Sequence, residues 1–156
     1  MKKALLFFLV IIAIIVQLNN NTINAKAIDC NSEEQVLIES LLKARLEVWN
    51  KVYDPSVDKP NWVEELKKYV TNPLLEYDVN AFIQLTKNPT DMDKVNHVKI
   101  KEIKKIDRKE DAIRAIVCAI WTIEGKKGTY MENIEYEILL KKENSQWKIS
   151  DYKINE

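Results

Sequence analysis

The chain has 156 residues, with 24 basic and 24 acidic side chains and a formal net charge of zero. That length suits one domain, and the balance excludes the basic excess of a nucleic-acid-binding surface or a polybasic block for anionic lipid. With only two glycines, two cysteines and one histidine, the chain has neither a Gly-rich phosphate loop nor a Cys/His zinc set.

Lys2 and Lys3 precede an apolar run from Ala4 to Val16. A run of roughly 7–15 residues is a signal-peptide core, whereas a membrane-spanning helix needs about 20. Ala25-Lys26-Ala27 is an A-x-A cleavage pattern, which predicts a cut between Ala27 and Ile28. Residues 1–27 are then a signal peptide and residues 28–156 a secreted domain. Of the 24 basic residues, Lys2, Lys3 and Lys26 leave with the leader, so 21 face 24 acidic ones. Two alternatives stand beside cleavage. An uncleaved leader would anchor the domain to the membrane, facing outside. Acylation at Cys30 would make a lipoprotein, against which Asp29 stands as a charged residue where a small one is expected. Export permits a disulfide between Cys30 and Cys118. It would close a loop of about ninety residues and contribute about 4 kcal/mol in the chain-entropy account. The alternative is two free thiols, Cys118 buried and Cys30 near the terminus. Heavy use of Lys, Asn and Ile with only three Arg points to an AT-rich bacterial genome.

Ser32-Glu33-Glu34-Gln35 is a capping box. Leu37, Ile38, Leu41, Leu42, Ala44, Leu46, Val48 and Trp49 follow at helical spacing, predicting a helix from Glu33 to about Val52. Asp54-Pro55-Ser56 breaks it. Pro60 suits a first turn, and Trp62, Val63, Leu66, Tyr69 and Val70 stripe a second helix that Asn72-Pro73 stops. Leu74 to Leu85 reads as a third, short helix, and Lys87 to Asp93 as a loop.

The second half reads as strands. Val95 to Asp107 changes apolar phase after Ile100, as a bulge requires. Asp111 to Glu124 is apolar on both faces and therefore predicted to be central. Gly125 to Gly128 is a hairpin turn holding both glycines. Tyr130 to Lys142 alternates as a half-buried strand. After the turn at Lys142–Ser145, a last strand carries Trp147 and Ile149 on one phase and Tyr152 and Ile154 on the other. Helices followed by four antiparallel strands predict an α+β domain with the helices on one sheet face.

This order resembles the NTF2-like superfamily, the cystatin-like cone shared by nuclear transport factor 2, ketosteroid isomerase and many small bacterial domains. The resemblance covers roughly residues 33–154. It is most specific at the end, where "YEILLKKENSQWKISDYKI" looks like the last hairpin of such domains. These are packing residues, so the resemblance implies a fold: a long first helix against a bent sheet, with a ligand space between them. It also implies that exported members act by binding or assembly, and it allows a homodimer.

An isomerase of this fold needs an acid facing a tyrosine in an apolar pocket. The inward strand positions are Tyr130, Ile134, Tyr136, Ile138, Ala115, Val117, Ala119 and Trp121, and only Glu132 is an acid in phase with them. Asp107, Asp111 and Asp151 fall near turns or a phase shift, and His97 falls on a solvent-facing phase. Trp121, Tyr130, Tyr136 and Trp147 are the candidate pocket lining; plain core is the alternative. No catalytic residue, metal or cofactor is indicated. The reading is an exported, non-catalytic binding domain for a small apolar ligand or a partner protein. A small isomerase or dehydratase using the cone cavity is one alternative. A membrane-tethered subunit of a surface or conjugation apparatus is the other.

Overall fold

The computed structural model describes residues 32–51, 61–87 and 93–155. The expected leader, its cut at Ala27–Ile28 and Cys30 lie outside the described residues. Three helices come first among the described residues: α1 (Glu33–Asn50), α2 (Trp62–Leu66) and α3 (Leu74–Lys87). Four strands follow: β1 (Lys94–Arg108), β2 (Ala112–Gly125), β3 (Gly128–Glu143) and β4 (Gln146–Ile154). They form one antiparallel sheet in the order β1-β2-β3-β4.

The sheet is bent by its sequence. In β1 the inward apolar residues are Val95, Val98, Ile100, Ile103 and Ile106. Wherever two of them are three apart instead of two, the ladder to β2 skips a residue. The skipped residues are Asn96, Lys101 and Lys104. Each bulge adds a residue to β1 alone and curls the strand. The same device explains β4, where Ser150 is skipped between Ile149 and Asp151, so the phase of Trp147 and Ile149 is lost by Tyr152. The β3–β4 turn puts Asn144 and Ser145 at φ of 50° and 66°, the left-handed pair that matches strand twist in a tight hairpin. Gly128, at φ 118°, closes the other hairpin with a backbone that only glycine adopts freely.

β2 is flanked by β1 and β3, as its two apolar faces predict. Ala115, Val117 and Ala119 are buried at its centre, beside Ile138 and Leu140 of β3 and Ile149 of β4. These small side chains leave room for α1, whose Ile38, Leu41, Leu42 and Val48 complete the core. Burial of such side chains contributes roughly 1.5–3 kcal/mol each.

Half of the predicted capping box forms. Ser32 Oγ accepts from the Gln35 amide at 3.2 Å. The Gln35 side chain turns away from Ser32 and donates to the Ile100 carbonyl at 3.1 Å. One turn later, Glu39 Oε2 accepts from the Ile100 amide at 2.8 Å. Ile100 lies beside a bulge on the outer strand, so its backbone groups have no strand partner beyond them. The two α1 side chains supply one and shield that part of the edge from foreign pairing. Burial pushes the Glu39 carboxyl up, but Lys43 and the Ile100 amide outweigh it and hold it below its ordinary value.

The second helix is shorter than its stripe predicts. Beyond Leu66 the chain turns and Val70 bridges Ile149 in parallel. Ile149 donates to the Tyr69 carbonyl at 2.8 Å and accepts from the Thr71 amide at 2.9 Å. The open edge of β4 competes for these backbone groups and wins.

Glu39→Ala is expected to lower unfolding free energy by about 1–3 kcal/mol at neutral pH, because it strips a hydrogen bond to a charged acceptor. A carboxyl held low in the folded state stabilises above its unfolded pKa, and that contribution is lost as pH falls through the folded value. Denaturant unfolding of both proteins should therefore converge at acid pH. A deficit that persists there would show that the carboxylate charge is not the stabilising element.

Candidate functional site

A space remains between one side of the last turns of α1 and the sheet. A cavity of about 310 Å³ opens there. It is lined by Leu42, Arg45, Leu46 and Trp49 of α1, Trp121 of β2, Tyr136 of β3 and Tyr152 of β4, with Asp93 and Val95 where β1 begins. Asn50 ties the helix end to that corner, its side-chain amide donating to the Val95 carbonyl at 2.9 Å.

The walls are aromatic. Trp121 meets Tyr136 edge-on at 6.1 Å between centroids, and Tyr136 meets Tyr152 at 5.3 Å. On the helix side, Trp49 leans on Phe82 of α3 at 5.8 Å, and Phe82 stacks on Trp62 of α2 at 3.7 Å. The three helices thus hold the Trp49 ring in place through one aromatic column.

One ion pair sits in this apolar setting. Arg45 grips Asp78 of α3 with both prongs, Nε to Oδ2 at 2.7 Å and Nη2 to Oδ1 at 2.5 Å. Its guanidinium also lies over the Tyr152 ring at 4.9 Å and the Trp49 ring at 5.8 Å. Only 12% of the Arg45 side chain and 4% of Asp78 are exposed. Burial opposes the Arg45 charge, but Asp78 and Tyr152 outweigh it and push its pKa further up. The forked geometry makes the pair strong and directional. It also engages both carboxylate oxygens, one hydrogen bond to each.

Burial, then the neighbouring Tyr152, pushes the Tyr136 phenol up to about 12. It therefore stays protonated at neutral pH. The Trp121 indole, a hydrogen-bond donor beside the phenol, opposes that rise. The Trp49 Nε1 is buried with no hydrogen-bond partner among the described residues.

No protein-family model and no curated protein matches the sequence. Several solved structures are similar in outline. The intermembrane-space region of the chloroplast protein ARC6 is 8% identical, with a TM-score of 0.49, 80% of this chain covered and 98% of that one. An NTF-2 like protein of unknown function from Shewanella oneidensis is 17% identical, with a TM-score of 0.45 and coverage of 76% and 96%. An IcmL-like type IV secretion system protein from Legionella pneumophila is 14% identical, with a TM-score of 0.44 and coverage of 80% and 93%. This chain itself has helices followed by an unclosed four-stranded antiparallel sheet.

The fold is of the α+β kind that the sequence resemblance implies.

In this structure the four aromatic residues singled out from the sequence separate. Trp121 and Tyr136 line the cavity. Tyr130 lies at the Gly125–Gly128 hairpin, 40% exposed, with its hydroxyl donating to Asp93 at 2.9 Å. Trp147 is half-buried against the core beside Lys142, whose ammonium is 5.7 Å from its ring. Strand phase puts all four on one face, but the cone narrows around only the middle of it. Glu132, the acid in phase, is exposed and outside the lining, and His97 is exposed. Cys118 is a half-buried free thiol. Among the described residues no three His, Cys, Asp or Glu side chains approach closely enough to hold a metal.

Arg45, Trp49, Asp78 and Asp93 were not anticipated as site residues. One signal was present: Ile38, Leu42, Arg45 and Trp49 fall on a single helical stripe, so the only charge on it required a buried partner. The Asp78 end of that pair, 33 residues away, carries no local mark.

Removing either end should expose the cost of the other. Arg45→Met or Asp78→Leu alone is expected to destabilise by about 3–5 kcal/mol, since each strands a buried charge. The double replacement should cost far less than the sum. A double-mutant cycle by chemical denaturation checks this; strictly additive losses would mean that the two groups do not act as a pair.

Proposed function

We propose that this chain is a non-catalytic binding domain whose cone cavity takes a small, largely apolar ligand. The observation that carries the reading is the cavity itself: an aromatic-walled space whose one ion pair is closed on itself. Its size is at the lower end of ligand sites, roughly 300–1,000 Å³. A carboxylate gripped by both prongs of an arginine orients and rigidifies, and leaves the walls to do the binding.

A neutral aromatic hydrocarbon such as propylnaphthalene is expected to bind at one saturable site and to change tryptophan fluorescence. Leu42→Trp, which fills the space from α1, should abolish that binding while the far-ultraviolet circular dichroism stays unchanged. Linear, non-saturating uptake by both proteins would sink the cavity as a ligand site.

The same reading places the domain outside the cell, freed of residues 1–27. The intact mass of protein recovered from the culture medium should begin at Ile28. A cell-bound species carrying the full chain, or one beginning at Cys30 with added acyl mass, would overturn the secreted reading.

A further inference from the structure

Lysines on an edge strand ordinarily keep foreign strands from pairing with it. Two lysines of β1 have no such task. Lys99 and Lys101 flank Ile100, whose amide and carbonyl are already taken by Glu39 and Gln35. The edge is closed at that point without them. Further along the strand, Lys104 and Arg108 are matched by Glu135 and Glu34. Lys99 and Lys101 make neither an ion pair nor a hydrogen bond among the described residues.

Both lysines border a groove of about 470 Å³ between α1 and the edge of β1. It shares no lining residue with the cone cavity. Lys101 is one of the residues that the ladder to β2 skips, and a bulge re-aims the side chain it carries. Lys43 of α1 brings a third ammonium, and Glu39 is the lone carboxylate of the lining. That carboxylate is spent. One oxygen accepts from Lys43 Nζ at 2.6 Å and the other from the Ile100 amide at 2.8 Å. The groove is left with two uncompensated positive charges, those of Lys99 and Lys101.

The neutral polar groups of the lining are spent as well. Ser40 Oγ donates to the Leu37 carbonyl at 2.8 Å, and the Gln35 side chain to the Ile100 carbonyl. Charge is therefore what the groove has to offer, and its form is selective. An arginine fork matches a planar carboxylate, whereas ammonium groups are compact point charges that suit a tetrahedral phosphoryl group. No arginine lines the groove. A phosphomonoester carries about 1.5–2 negative charges at neutral pH, which balances the two lysines; a diester carries about one. Val36, 60% exposed, lies on the same lining and gives the organic part of such an ester an apolar surface.

We infer that the α1–β1 groove is a second binding site, for a small, soluble phosphomonoester held by Lys99 and Lys101. The site is independent of the cone cavity and of what that cavity binds.

Four probes test it by amide chemical shifts at low ionic strength: phenyl phosphate, its methyl diester, phthalate and inorganic phosphate. Phenyl phosphate should shift the amides of Val36, Ser40, Lys99 and Lys101 saturably and bind tightest of the four. Lys99→Gln and Lys101→Gln should each weaken it a few-fold, and together about tenfold, the scale of two exposed charge contacts. Raising the salt from about 20 to about 200 mM should weaken it further, since such contacts are screened. Lys126→Gln with Lys127→Gln makes the same charge change on the β2–β3 hairpin and should leave the affinity as it was. An equal loss in that hairpin variant would reduce the effect to overall charge and overturn the site. Phthalate or the diester binding as tightly as phenyl phosphate would refute the phosphomonoester class, and inorganic phosphate doing so would remove the organic body from it. If no probe shifts the groove amides saturably, the site does not exist, whatever propylnaphthalene does in the cone cavity.

Discussion

The curl of β1 is the constraint on which everything else in the fold depends. Three extra residues, Asn96, Lys101 and Lys104, lengthen that strand relative to β2, and the ladder accommodates them only by bending. A flat sheet would lie against α1 along its whole length and leave no space. A bent one leaves a gap beside Leu46 and Trp49, while Val48 and Asn50 keep the end of the helix in contact with the rest of the fold. The clamp of Gln35 and Glu39 on both backbone groups of Ile100 holds the contact where the two surfaces touch. The bridge from Asn50 to Val95 fixes the gap where they separate. The cavity is the geometric remainder of a curved strand and a straight helix.

That remainder is stiff because its walls are held from behind. Trp49 is backed by Phe82 and Trp62, and Arg45 is held by Asp78 from α3. Small domains keep only about 5–15 kcal/mol of net stability, and a buried ion pair draws on it. A core of leucines at the same positions would be drier and better satisfied. The polar groups therefore shape the space and position the aromatic faces at some cost to the fold.

The opposite face of the sheet follows other rules. Ile116, Cys118, Ile120 and Leu139 are half-buried there, in register with a screen of charges. Glu137 is paired with Arg114 and Lys153, and Glu135 with Lys104. Those ion pairs are exposed and individually worth little. Their role is geometric, since long side chains drape over the central strands and break up what would otherwise be a continuous apolar strip. The apolar positions on both faces of β2 that mark it as central thus have two different covers, a helix on one side and neighbouring charged side chains on the other.

Local chemistry was legible in the sequence. The Ser32 cap, the helical stripe of α1, the glycine hairpin and the apolar phase of each strand are read over a few residues, and backbone periodicity alone determines which face each side chain takes. Even the bend was present, as steps of three in the spacing of Val95, Val98, Ile100, Ile103 and Ile106. What stands opposite a face was not legible. Glu132 and Trp147 share the inward phase with Trp121 and Tyr136, yet neither lines the cavity. Gln35 left its expected capping role because the Ile100 carbonyl was open, and Val70 left its helix because the β4 edge was. The pairing of Arg45 with Asp78 and the shared cavity of Trp49 and Trp121 join elements far apart in the chain. Periodicity determined the faces; only the tertiary structure decided their neighbours, because a side chain's partner is set by where the rest of the chain returns and not by its own sequence surroundings.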